Sequence, residues 1–225
     1  NTYAICEYGI TEMINNAKDH SSGKRVTTQM EVSKSNIHIT IEDDGTGVFK
    51  HIMQVLNYSS YPECILDLSK GKLTTDPHNH TGEGIFFTSR AFDLFSITAN
   101  SYKYFIDNRI GDWSFEKVEK NPGSAINLTI DRNSTRKLIS LFRAYQDNNS
   151  LSFNRTEIKV ELAKFHGERL ISRSQAKRIL RNLEQFNYVM LDFKHVVAVG
   201  QGFVDEIFRV YKTKNPEITF DYCNA

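Results

Sequence analysis

Glu12-Met13-Ile14-Asn15-Asn16-Ala17-Lys18-Asp19-His20 and Asp43-Asp44-Gly45-Thr46-Gly47 are the two stretches whose reading decides the fold of this chain. The first lies in a run, residues 2–20, that reads as a helix. Ile5, Ile10 and Met13 share an apolar face with Ile14 and Ala17. Glu12 and Asn16 are four residues apart, so their side chains leave one side of that helix. A carboxylate there can take a proton from water or from a hydroxyl. An amide oxygen one turn away suits magnesium, a hard ion that prefers oxygen ligands and keeps several waters. Taken alone, Glu-x-x-x-Asn is ordinary on a solvated helix face.

The second stretch supplies the context. Residues 25–32 and 37–43 read as a strand pair joined by a polar turn. Ile37, Ile39 and Ile41 alternate with His38, Thr40 and Glu42, and Asp43 continues the inward parity. A carboxylate aimed at a core needs a partner, and an adenine amino group is a suitable one. Gly45 and Gly47 permit positive φ and a close approach of backbone to ligand, although Asp-Gly is also a common turn dipeptide. Further along, Thr81-Gly82-Glu83-Gly84 precedes a helix expected over residues 84–95. Free N–H groups at a helix start attract phosphate. Gly123-Ser124 opens a later strand.

In order and spacing, these segments resemble the Bergerat-fold ATPases, the superfamily of gyrase-type topoisomerases, a chaperone class, histidine kinases and mismatch-repair proteins. The motifs that match are Glu12 and Asn16, then Asp43, Gly45 and Gly47, then Gly82 and Gly84, and, approximately, Gly123 and Ser124 for a Gly-Thr pair. The resemblance covers residues 1–132. It implies an α+β two-layer sandwich that binds ATP through magnesium. By it Glu12 is the general base and Asn16 the magnesium ligand. Asp43 reads adenine, helped through a water by Ser124, and Gly82 and Gly84 approach the phosphates. The third motif holds fewer glycines than many relatives carry.

Composition bounds the rest. With 225 residues, 40% hydrophobic and 24% charged, the chain has room for one large or two modest domains with a packed core. A net charge of +1 argues against a generic polyanion binder. Cys6, Cys64 and Cys223 form no Cys-x-x-Cys, so neither a zinc site nor a disulfide framework is expected, and a cytoplasmic setting fits. No apolar run approaches the ~20 residues needed to cross a bilayer. The chain begins at Asn1 and enters a motif helix almost at once, so a preceding part of the natural protein is expected.

Residues 48–81 read as a long polar surface loop, by the resemblance an ATP lid. His51, His78 and His80 in it raise a metal site only as a minor alternative. Strands are expected at 95–99, 102–107, 113–118 and 124–130. Ser134 is placed to cap a helix through Tyr145, and residues 133–155 form a connecting helix and linker, with 147–150 the linker proper. The remainder, 156–225, reads strand (157–165), helix (174–186), strand (188–193), helix (203–211), strand (217–222), a small α/β unit with a partly parallel sheet. Its basic residues Arg173, Lys177, Arg178 and Arg181 suit a solvated face.

Tyr188-Val189-Met190-Leu191-Asp192-Phe193, followed by Val199 to Phe208, resembles a STAS-like domain of unknown function, a module found behind such ATPase domains in prokaryotes. In STAS antagonists the loop after the Asp carries a phosphorylatable serine. Here Gly200-Gln201-Gly202 has no serine or threonine. The pairing of modules resembles bacterial partner-switching systems. It implies an ATP/Mg-binding regulatory protein, serine-kinase-like or a slow ATPase switch. In this reading nucleotide state sets the contact between the modules, with residues 135–145 as relay, and a protein partner binds through the STAS-like part. Two alternatives stand beside it. One is an ATP-gated homodimerising ATPase. The other is a non-hydrolysing nucleotide sensor that meets nucleic acid only through a preceding segment.

Overall fold

The computed structural model describes residues 2–77, 81–119, 121–147 and 152–225. Strands β1 (Val26–Val32), β2 (Asn36–Asp43), β3 (Leu94–Ala99), β4 (Tyr102–Asp107), β5 (Asp112–Lys117) and β6 (Ser124–Asp131) form an antiparallel sheet in the order β1-β2-β6-β3-β4-β5. Cross-strand register puts Ile39 opposite Leu128, Ile41 opposite Ile126, and Ile97 between Ile126 and Tyr104. These residues form one buried face. The opposite face is polar: His38 bonds Thr129 at 2.9 Å, and the Thr40 hydroxyl donates to Asn127 at 3.1 Å. Strand alternation alone dictates this split.

Helices cover the apolar face. In α1 (Thr2–His20), Ile5, Met13 and Ala17 are buried, while Ile10 and Ile14 are half-buried. Gly9 faces α4 (Gly84–Ala91), and a Cβ there would fall 2.5 Å from the Phe92 ring.

Residues 48–81 are not one long loop. They hold α2 (Val48–Val55) and α3 (Tyr61–Lys70), joined by the turn at residues 56–60, and only residues 71–77 of the described stretch follow α3 before 81. Phe49 and Ile52 bury one face of α2; Pro62 at the start of α3 and Ile65, Leu66 and Leu68 pin the second helix. Polar residues between these apolar positions concealed the period. The helix α5 (Leu138–Tyr145) starts four residues later than Ser134. The Ser134 hydroxyl instead accepts from the Arg136 N–H at 3.3 Å, as a local turn. Of the expected linker, residues 148–150 lie outside the described residues; Asp147 N–H donates to the Ser152 carbonyl at 3.0 Å.

The second sheet is wholly parallel, β7 (Arg155–Lys159), β8 (Tyr188–Asp192) and β9 (Thr219–Cys223) in that order. β7 ends at Lys159 rather than continuing to 165, and tight 3₁₀ turns Val160–Ala163 and Phe165–Gly167 follow. Helix α6 (Arg173–Leu180) opens with a capping box between Ser172 and Gln175 and stops where Asn182 turns left-handed at φ 59°, short of 186. The next helix, α7 (Gln201–Asp205), starts earlier than 203, widens into a π turn over Glu206–Tyr211 and closes with a last α turn at Lys212–Lys214. Among the described residues no helix is long and apolar enough to cross a membrane.

Candidate functional site

One pocket lies where the end of β2, the start of β6, the last turns of α1 and residues 73–85 meet. Glu12, Asn16, Asp43, Gly82, Gly84 and Ser124 all line it. Gly45 and Gly47 do not. A Cβ on Gly45 would fall 2.1 Å from the Ser21 carbonyl oxygen, so this glycine lets the turn pack on the end of α1. Gly47, at φ 87°, opens α2 beside the Asn100 amide. Both glycines shape the turn that carries Asp43.

At one end Asp43 stands directly opposite Ser124 across β2 and β6. One Asp43 oxygen accepts the Gly45 N–H at 2.9 Å, and the Ser124 hydroxyl oxygen accepts the Val48 N–H at 3.0 Å. Gly123, at φ 61°, makes this row possible, because a Cβ there would collide with the Asp43 carbonyl oxygen at 1.8 Å. Val48, Ile52, Leu68, Ile97 and Ile126 wall this end. An apolar slot with a carboxylate and a hydroxyl at its floor suits a flat heteroaromatic base bearing an amino group.

The other end is polar. A Cβ on Gly84 would lie 2.2 Å from Glu12 Oε2, so the carboxylate rests against the first residue of α4. Glu83 adds a second carboxylate to the lining. Burial pushes its carboxyl up, opposed by the Lys72 ammonium and reinforced by Glu12. The Asn16 Nδ2 is buried with no hydrogen-bond partner. Such an orphaned donor is costly unless a ligand oxygen meets it. The unpartnered atom is a donor and suits an acceptor oxygen. A hard cation such as magnesium would take the other atom of the same amide, Oδ1, with water completing its shell, and two carboxylates beside a helix start would favour a cation there. Among the described residues no three His, Cys, Asp or Glu side chains come together as a metal cluster. His78 and His80 lie outside the described residues.

Several polar lining residues carried no nucleotide role in the sequence reading, among them His20, His51, Thr74, Thr75 and Glu83. His20 continues the Glu12–Asn16 stripe by one more turn, a signal that was available. His51 depends on α2, which the sequence reading missed. Its Nε2 is 3.1 Å from the Thr75 hydroxyl, which is 3.5 Å from His20 Nδ1, and the two rings are 5.6 Å apart.

Behind the pocket, α3 ends in a buried ionic cluster. The fully buried Lys70 ammonium pairs with Asp67 and donates to the carbonyls of Arg178 at 3.0 Å and Arg181 at 2.9 Å, at the end of α6. A helix C-terminus favours a cation. Burial pushes this ammonium down, and Asp67 opposes the shift. Asp67 also accepts from Tyr58 at 2.5 Å and Asn182 at 2.9 Å. Thr156 of β7 donates to the Lys70 carbonyl at 2.7 Å, and Lys72 donates to the Gln185 carbonyl at 2.6 Å. The basic face of α6 is thus partly engaged, with Arg181 over the Tyr58 ring at 3.9 Å and Arg178 over Phe165 at 4.3 Å.

Residues 175–225 match the model of a family described as a STAS-like domain of unknown function (DUF4325). The match takes in α6 from Gln175 onward, β8, α7 and β9, and so two of the three strands of the parallel sheet. No curated protein matches the chain.

Proposed function

We propose that this chain is an ATP- and magnesium-binding regulatory protein, a Bergerat-fold ATPase domain (1–132) joined by a connecting segment (133–155) to a STAS-like domain (156–225). One observation carries the reading. Glu12, Asn16, Asp43, Gly82, Gly84 and Ser124, from four separate stretches of sequence, converge on one pocket with an apolar end and a polar end. In this reading the second Asp43 oxygen accepts from the adenine amino group, and Ser124 supports the base through a water. The Asn16 amide holds magnesium, which neutralises phosphate charge. Glu12 takes the proton of the attacking water or hydroxyl.

In this reading a second path to the STAS-like domain runs through α3, beside the expected relay at residues 135–145. The pocket loop leaves α3 at Lys70, and Lys70 and Lys72 both dock on the C-terminal part. In this reading nucleotide state reaches the end of α6 through the hydrogen bonds that Lys70 makes there. A STAS-like partner surface then responds to occupancy. The protein works in the cytoplasm in this reading.

Calorimetry with ATP and ADP plus magnesium tests the pocket, with phosphate release followed in the same samples. The expected outcome is binding that is lost in Asp43→Asn, and slow release that stops in Glu12→Ala while binding persists. Absence of binding by the wild-type chain would refute the reading.

A further inference from the structure

The base and phosphate ends of the pocket leave a middle stretch unassigned. Glu12 and His20 are eight residues apart on one helix, about 12 Å at 1.5 Å per residue. Glu12 marks the polar end, against Gly84. His20 precedes Ser21, whose carbonyl accepts the Thr46 N–H at 2.7 Å, in the turn just after Asp43. His20 therefore stands on the side nearer the base, one turn beyond Asn16. His51 reaches the same wall from α2, and Thr75 closes it from the 71–83 segment. In a nucleoside triphosphate the group between base and phosphates is the sugar. Its hydroxyls need donors and acceptors, and both imidazole and threonine hydroxyl supply either.

We propose that His20, His51 and Thr75 hold the sugar hydroxyls, so that the pocket selects ribonucleotides over deoxyribonucleotides. The inference rests on the nucleotide reading above and adds to it the part of the ligand that this wall recognises. Thr75 is the pivot. Its one hydroxyl joins the two imidazoles, so a sugar hydroxyl arriving here enters an existing polar chain rather than an apolar wall. Binding a deoxy sugar would leave that chain facing an apolar carbon, which sites built for a hydroxyl reject.

The test is calorimetry with ATP, 2′-deoxy-ATP and 3′-deoxy-ATP, each with magnesium, on the wild-type protein, Thr75→Val and His51→Gln. Thermal unfolding of both variants checks that they remain folded. The expected result is at least about a tenfold weaker Kd for one deoxy nucleotide in the wild type. That ratio should fall to near one in Thr75→Val or His51→Gln, with ATP binding weakened and deoxy binding little changed. Equal affinity for all three nucleotides in the wild type overturns this inference and leaves the pocket assignment standing. So does a preference that survives in both variants. Failure of all three nucleotides to bind the wild type overturns the pocket assignment itself, and this inference with it.

Discussion

Replacing Asp67 by asparagine keeps the shape of the side chain and removes its charge from a site where Lys70 is 1% exposed. The Lys70 ammonium would retain the Arg178 and Arg181 carbonyls but lose its counter-charge. Breaking one side of a buried pair costs about 3–5 kcal/mol, because the remaining ion is desolvated without compensation. For a chain of this size each kcal/mol moves Tm by roughly 2–4 °C, so Asp67→Asn should lower Tm by about 6–20 °C. Lys70→Met alone should cost less, since Asp67 keeps the donors of Tyr58 and Asn182 and Arg181 lies 3.8 Å away. The pair Asp67→Leu with Lys70→Met removes both charges and should recover much of the loss, as buried pairs replaced by apolar side chains commonly do. Urea denaturation of the wild type, the three single variants (Asp67→Asn, Asp67→Leu and Lys70→Met) and the double variant reads these values directly. An Asp67→Asn cost under about 1 kcal/mol, or additive losses in the Asp67→Leu/Lys70→Met cycle, would refute the claim that a mutually dependent ion pair joins α3 to α6.

Two further outcomes test the site. Gly123→Ala should destabilise the protein by more than about 2 kcal/mol and weaken nucleotide binding. It combines a left-handed backbone with a Cβ that collides with the Asp43 carbonyl; thermal unfolding and calorimetry check both effects. Burial holds the His51 imidazole below its ordinary 6.5. Between that lowered value and 6.5 the unfolded chain binds more protons than the folded one, so stability falls as pH drops through this window. His51→Gln should flatten the dependence; measuring the urea midpoint from pH 7.5 to 5 shows whether it does.

The sequence by itself marked six residues that the fold brings to one pocket. Four short segments, read for residue type and spacing, contained Glu12, Asn16, Asp43, Gly82, Gly84 and Ser124, and strand alternation aimed Asp43 inward. Local rules sufficed there, because helix and strand periods determine which face a side chain joins. The antiparallel strand runs were legible for the same reason, and the C-terminal βαβαβ pattern was legible in outline.

What escaped was decided by tertiary packing. Residues 48–70 fold into α2 and α3 because Phe49, Ile52, Ile65, Leu66 and Leu68 find the core, a reward their polar neighbours hid. With those helices came His51 and the Asp67–Lys70 cluster, since a buried lysine is tolerated only where a carboxylate and helix-end carbonyls meet it. No local pattern announces that meeting: Lys70 and its α6 partners lie 108 and 111 residues apart in the chain. The packing of Gly45 and Gly47 was hidden for a related reason. Sequence shows that a glycine is present, whereas only the folded chain shows which atoms of Ser21 and Asn100 it makes room for.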